Sequence, residues 1–403
     1  MKKRTPAALR TAASIEDLRA EARRQIPRAL FDYVDRGSYA EQTLQANRRD
    51  LDRLLLRQRV LVDVSKRSLG TTLLGEPVAL PMALAPVGLC GLLHGDGEIH
   101  ACRAAQAAGI PFTLSTLSIA SIEDVAAAVE KPFWFQLYMW RDRGVTRSLI
   151  ERAIAAKCSA LVVTVDLQAL AQRHADIRNG LTVPPRVTLR NALEIALRPR
   201  WALGVLRGKR RTFGNLAGHV PDADGVNGLT RWSNGQFDPG LSWADLDWIR
   251  GVWPGKLIVK GILNPDDAAL AAQAGASAIV VSNHGGRQLD GTCSTIAALP
   301  PIRDRVGDTA ELIVDGGIRS GQDVLRGLAA GARACMVGRA FVYGLAAAGQ
   351  AGVTRAIRIL GRELDVSMAL CGVARAADID RRHLMSPTPP DGRPGAVRAL
   401  RQC

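Results

Sequence analysis

At 403 residues, 47% of them hydrophobic, the chain is long for one ordinary domain but within the range of a single strand–helix barrel. It has no run of 18 apolar residues and its basic start lacks an apolar stretch, so neither a spanning helix nor a secretory signal is expected. The net charge is +15, and seven dispersed cysteines (Cys90, Cys102, Cys158, Cys293, Cys335, Cys371, Cys403) without C-x-x-C spacing fit reduced thiols in a cytoplasm, with neither a disulfide framework nor a metal site expected.

In chain order, residues 1–75 read as an N-terminal helical extension, with SIEDLRAEARRQIPRALFDYVDRG broken at Pro27. Residues 76–385 then alternate short apolar runs with helical stretches. The eight runs are VALPMALAP (78–86), FTLS (112–115), FWFQLY (133–138), ALVVTVD (160–166), KLIVKG (256–261), AIVVSN (278–283), ELIVDGG (311–317) and ACMVGR (334–339). Their continuous rather than alternating hydrophobicity suits strands buried on both faces. Helix starts are readable between them. Ser121 stands three residues before Asp124, and NPDDAALAAQAG offers Asn264 as N-cap, Pro265 in the first turn and Gly275 at the end. Eight strands with intervening helices predict an α/β fold, a (β/α)8 TIM barrel, rather than an open doubly wound sheet. No G-x-G-x-x-G follows the first strand, and GVLRGKR is one residue short of a P-loop and lacks its Ser/Thr.

About ninety residues separate the fourth and fifth runs, so an insertion at about 178–242 must project from the barrel's C-terminal face. Within it, residues 186–211 carry eight basic side chains against one acid, Glu194, interleaved with Leu, Ile, Val and Trp201. This is the pattern of an amphipathic helix on an anionic membrane surface, and equally of a solvated basic loop. No helix-turn-helix, zinc-finger or RNP pattern accompanies the charge, so nucleic acid is not an expected partner. Residues 386–403, SPTPPDGRPGAVRALRQC, read as a flexible C-terminal tail.

The active site of such a barrel lies where its strands end. The strand ends place Gln136, Tyr138, Thr164, Asp166, Lys260, Ser282, His284, Asp315, Gly338 and Arg339 there, with Arg287 just beyond. Each alone has an ordinary explanation as a helix cap or a solvated charge; their convergence on one rim points to one cavity. DGGIRSG (315–321) and VGRA (337–340) combine glycine amides, Arg319, Arg339 and two helix starts on neighbouring strands, an arrangement suited to a phosphate. His284 is a candidate base that Asp166 would orient, Arg287 offers a planar fork to a carboxylate, and Arg173 offers a second. Lys260 ends an otherwise apolar strand and needs something anionic to meet it; a reduced flavin ring would serve.

SNHGGRQLDG, WFQLY, LVVTVD, QRHADIRN, LIVKGI, VDGGIRSG and MVGRAFVYGLAAAGQAGV together resemble the FMN-dependent α-hydroxy acid oxidase/dehydrogenase family. The likeness runs from about Ile15 to Arg382, and LPMALAPVGLCGL, GIPFTLSTLS and FDPGLSWADLDWIR are similar to its bacterial quinone-linked L-lactate dehydrogenase branch. The resemblance implies FMN as cofactor and oxidation of a small L-2-hydroxy acid, L-lactate to pyruvate, with a quinone or other electron acceptor. It implies His284 as base with Asp166 behind it, and Arg173, Arg287, Tyr33 and Tyr138 around the substrate. Pro86, Val87, Gly88, Ser115, Gln136, Thr164, Lys260 and Ser282 would hold the flavin ring and its chain. Asp315, Gly316, Gly317, Arg319, Gly338 and Arg339 would hold ribityl and phosphate. A homotetramer, cytoplasmic or peripheral on the inner face of the cell membrane, is implied as well.

Three departures bear on substrate and acceptor. Leu117 stands where glycolate oxidase has a tryptophan, which widens the substrate side-chain pocket. TVDLQALAQR lacks the proline-rich pattern usual after the fourth-strand aspartate, and Gly88 replaces an alanine frequent in oxidases. Other readings therefore stay open: a longer or aromatic, mandelate-like 2-hydroxy acid; oxygen as acceptor; a non-catalytic flavin-binding interaction module; or a flavin-free phosphate-sugar isomerase.

Overall fold

Eight short parallel strands form one sheet whose order closes on itself. In the computed structural model, which describes residues 7–180, 189–208, 210–220 and 225–385, a hairpin of β1 (Thr71–Leu73) and β2 (Glu76–Val78) comes first. The sheet strands are β3 (Met82–Leu84), β4 (Thr113–Ser115), β5 (Trp134–Leu137), β6 (Ala160–Thr164), β7 (Lys256–Ile262), β8 (Ala278–Val281), β9 (Glu311–Val314) and β10 (Ala334–Val337). Their order is β3-β10-β9-β8-β7-β6-β5-β4. A parallel bridge between Leu84 and Phe112, with Leu84 N donating to Pro111 O, joins the two ends into a barrel. All eight expected runs are strands, and the (β/α)8 TIM barrel is the observed fold.

The strands are apolar on both sides because both sides are buried. In β6, Ala160 and Val162 join the barrel interior with Trp134, Ile258, Val280, Ile313 and Met336, while Leu161 and Val163 face the surrounding helices. Interior side chains fill the barrel, so it is a packed core rather than a pore. The hairpin contributes Leu73, Leu74 and Val78 to the same interior cluster and plugs one end. Strands of three residues leave no periodicity to read, and this hairpin, inside the span expected to be helical, was not anticipated. Residues 55–70 are likewise irregular rather than helical.

The helix starts follow local chemistry. Ser121 and Asp124 form a full reciprocal capping box, and the Asn264 side chain accepts from Asp266 N ahead of Pro265. The N-terminal extension comprises α1 (Ala7–Thr11), α2 (Ile15–Gln25), α3 (Arg28–Asp35) and α4 (Gln42–Arg53), with the expected break at Pro27. Its α2 packs along the last long helix, Arg339–Leu370, which kinks at Ala348–Gly349.

The described part of the insertion holds three helices, Leu189–Ala196, Pro199–Arg207 and Gly225–Gly235, with turns over 210–220. Trp201 Nε1 donates to Leu92 O at 2.9 Å, and Arg210 pairs with Asp96 and Asp124 at 2.8 and 2.5 Å. These contacts pin one face of the basic segment to the barrel. On the other, Leu193, Leu197, Leu203 and Leu206 are exposed. Residues 186–188 and 209 of that segment, and the expected tail 386–403, lie outside the described residues.

Candidate active site

The turn after β8 holds a histidine in the left-handed backbone region. His284 has φ +56°, and Gly285 and Gly286 follow at +64° and +71°. Glycines adopt this left-handed conformation freely; the histidine shares it, which costs energy in any residue with a Cβ. Ser282 Oγ offsets part of that cost by accepting the His284 N–H at 3.1 Å, and it also accepts from Lys260 Nζ at 2.8 Å.

His284 Nδ1 lies 2.9 Å from Asp166 Oδ1, across from the end of β6. A carboxylate there fixes the tautomer with Nδ1–H donating, which leaves Nε2 as an acceptor. Burial pushes the imidazole below its ordinary value against the opposing pull of Asp166, and Lys260 and Arg173 add to the depression. Burial alone would raise Asp166, but His284 and Lys260 outweigh it and keep the carboxyl below the usual range. At neutral pH the pair is therefore a neutral imidazole held by an ionised carboxylate.

One cavity takes in Tyr33, Pro86, Val87, Gly88, Ser115, Leu117, Tyr138, Thr164, Arg173, Lys260, His284, Arg287, Asp315, Gly316, Gly317, Arg319, Gly338 and Arg339. Gln136, Asp166 and Ser282 stand just behind it, each bonded to a lining residue. The structure thus gathers every sequence-selected residue at one site. Lys260 also meets the Asp315 carboxylate at 3.1 Å, so its anionic partner is within the protein. Burial would lower Lys260, but Asp315 and Asp166 prevail and hold it above its ordinary value. Burial, with Asp166 and Tyr33, raises Tyr138, which stays a hydroxyl donor.

Of the two candidate carboxylate-binding arginines, Arg287 is electrostatically unbalanced. Arg287 is pushed down to about 9, first by burial and then by Arg173. A half-buried guanidinium with a second cation for a neighbour suits an anion. Arg287 is held in place from the N-terminal extension: it donates to Tyr33 O and Arg36 O, and its guanidinium lies 4.8 Å from the Tyr33 ring centre. Arg339 likewise donates to Val34 O, Gly285 O and Arg36 O at 2.8 to 3.0 Å. The extension is thus a wall of the site, which its amphipathic sequence did not disclose.

The sequence reading also missed Leu167, Leu170, Asn234 and Phe237, which line the cavity. Phe237 bridges to Trp140 and packs edge-on against Tyr138 at 5.8 Å, so the returning end of the insertion fixes the Tyr138 ring. An aromatic in a long loop gave no usable signal.

The model of the FMN-dependent dehydrogenase family matches residues 22–386. The chain belongs to that family. An L-lactate dehydrogenase of Caulobacter vibrioides (strain NA1000 / CB15N) is 48% identical over 381 residues, 94% of this chain and 99% of the relative. One from Stenotrophomonas maltophilia (strain K279a) is 48% identical over 371 residues, 92% and 98% of the two chains. Among solved structures, the monotopic membrane protein (S)-mandelate dehydrogenase superposes with a TM-score of 0.89 at 33% identity, covering 93% of this chain and 99% of that one. A mandelate oxidase variant with (S)-mandelic acid gives 0.78 at 37% identity, covering 93% and 98%.

FMN is the cofactor of this FMN-dependent dehydrogenase, and the cavity fits it. Buried Gln136 Nε2, Thr164 Oγ1 and Asp315 Oδ1 have no partner among the described residues, a set of donors and acceptors suited to a polar heterocycle and its ribityl hydroxyls. At the far end Arg319 lies over the Tyr343 ring at 5.2 Å beside the Gly316–Gly317 amides, which suits a phosphate. Among the described residues no helix is long and apolar enough to cross a membrane, and no cluster fit to hold a metal is present.

Proposed function

We propose that the chain oxidises L-lactate to pyruvate and passes the electrons to a quinone-type acceptor. The observation that carries this reading is the His284–Asp166 pair set in one cavity with Arg173 and Arg287, the latter lowered by burial and by its neighbouring guanidinium. The Caulobacter and Stenotrophomonas relatives, named L-lactate dehydrogenases, support lactate as the substrate.

In this reading Arg173 and Arg287 bind the substrate carboxylate, and Tyr33 and Tyr138 donate to its oxygens. That fixes the α-carbon under Nε2 of His284, which takes one substrate proton while Asp166 stabilises the imidazolium that results. FMN, when bound, supplies the two-electron oxidant. Pro86, Val87, Gly88, Ser115, Gln136, Thr164 and Ser282 hold its ring, and Lys260 offers positive charge to it. Asp315, Gly316, Gly317, Arg319, Gly338 and Arg339 hold the ribityl and phosphate. Leu117 and the apolar Leu167, Leu170 and Phe237 exclude water and receive the substrate's side chain.

The test is anaerobic bleaching of the flavin against a panel of 2-hydroxy acids, followed by addition of oxygen or a quinone. L-lactate should bleach the flavin fastest and the quinone should restore it. Bleaching by no L-2-hydroxy acid overturns the reading. A second reading, a longer or aromatic substrate, is favoured by one observation: the cavity that Leu117 lines also takes in Leu170 and Asn234. Faster bleaching by (S)-mandelate than by L-lactate would select it.

We further propose that helices Leu189–Ala196 and Pro199–Arg207 rest on an anionic membrane surface. The exposed Leu193, Leu197, Leu203 and Leu206 beside the exposed Arg200 and Arg207 support this, as does the monotopic character of the mandelate dehydrogenase relative. A peripheral position would also bring the cavity to where quinones dissolve.

A further inference from the structure

Asn47, on α4, and Asn283, the residue before His284, form a reciprocal amide pair. Asn47 Nδ2 donates to Asn283 Oδ1 and Asn283 Nδ2 donates to Asn47 Oδ1, each at 2.8 Å. Both residues are buried, and neither lines the cavity. Their remaining capacity goes to the catalytic turn and its surroundings. Asn283 Oδ1 accepts from Gly286 N at 3.1 Å and its Nδ2 reaches Cys293 O at 3.2 Å, while Asn47 Oδ1 accepts from Thr295 N at 3.3 Å.

This arrangement answers a difficulty posed by the turn. His284, Gly285 and Gly286 are all left-handed, and such a run in a chain containing a non-glycine needs outside support. The Asn283 carboxamide supplies it by closing the turn onto Gly286 N, and Asn47 is the side chain that fixes the orientation of that carboxamide. Asn47 in turn cannot move freely. A Cβ built on Gly316 would stand 3.2 Å from Asn47 Nδ2, and one on Gly317 would stand 2.5 Å from Asn47 O. The residue is held by its backbone against Gly317 and by its side chain against Gly316 and Asn283, between the loops after β9 and β8.

We propose that Asn47 is a positioning residue for His284, acting through Asn283 from the N-terminal extension. Without it, the Asn283 carboxamide loses its two shortest bonds and keeps only the longer ones to Gly286 N and Cys293 O, at 3.1 and 3.2 Å, so its orientation loosens and the imidazole drifts from the substrate's reacting atoms. A displacement near 1 Å at such a site costs on the order of a hundredfold in rate.

The test uses the FMN-loaded enzyme in single-turnover flavin reduction, with Asn47→Ala, Asn283→Ala, the double variant and the near-isosteric Asn47→Asp, which removes the donor and keeps the acceptor. The expected result is a split: FMN is retained, the apparent substrate dissociation constant stays within about threefold, and reduction slows about a hundredfold. The double variant should be no slower than the slower single, because both act through one carboxamide. Losses that multiply in the double variant, or a weakened substrate affinity at an unchanged reduction rate, overturn the proposal. If Asn47→Ala does not fold, Asn47→Asp carries the test: unchanged reduction there also overturns it. The inference rests on the role proposed for His284, and a His284→Ala control separates the two. Reduction that survives in that control defeats the role of His284; reduction lost there but intact in the Asn47 variants defeats this inference alone.

Discussion

Gly261→Ala should disable the base without touching it. Gly261 follows Lys260 at a bulge in β7, with φ +111°. A Cβ built there would sit 2.7 Å from both Cβ and Cγ of Asp166 and 2.9 Å from its backbone N. Ordinary contact begins at 3.4 Å, so the aspartate must retreat by about 0.7 Å, the difference of the two distances. Its bond to His284 is 2.9 Å and would lengthen beyond hydrogen-bond range. The backbone strain alone costs about 1–3 kcal/mol of stability. With the imidazole no longer held, flavin reduction should slow between about tenfold and a hundredfold. The assay is stopped-flow reduction under anaerobic conditions across pH, with bound FMN quantified from its absorbance. Asp166 is what raises the His284 value, so the pH at which activity half-appears should also move lower. A variant that folds, holds FMN and reduces it at the parental rate with the parental pH profile would refute the reasoning.

Three further outcomes follow from the same geometry. The base must be neutral, and its folded value lies below the ordinary 6.5, so kcat/KM should be flat through neutrality and fall only as pH drops through that depressed value; a fall beginning at pH 8 would contradict this. Lys260→Met leaves the buried Asp315 carboxylate without its ion-pair partner, and should cost up to about 3–5 kcal/mol of stability, read by denaturant unfolding. Replacing Leu193, Leu197, Leu203 and Leu206 with serine should release the protein from vesicles containing anionic lipid and leave turnover with a soluble dye unchanged. Vesicle binding that persists would remove these helices as the contact.

The barrel was legible because its strands are buried on both faces, which writes the continuous run of β6, ALVVT, directly into the sequence. The rim residues were legible because strand ends are the places where a polar group interrupts such a run, as His284 and Lys260 do. What resisted reading were partnerships across distant segments. Asn47 and Ser38 look like solvated polar residues beside an amphipathic helix, yet Ser38 Oγ bonds Gln288 O and Asn47 bonds Asn283, more than 230 positions away. Nothing local in α4 marks those contacts. The same holds for Phe237, whose place against Tyr138 depends on the path of the whole insertion.

The most direct test of the central claim is anaerobic single-turnover reduction of bound flavin by L-lactate in the parental enzyme and in His284→Ala. The account predicts that both are yellow, that the parental flavin bleaches with one pyruvate formed per flavin, and that the variant bleaches at least about ten-thousand-fold more slowly. A His284→Ala enzyme that bleaches at the parental rate would contradict it.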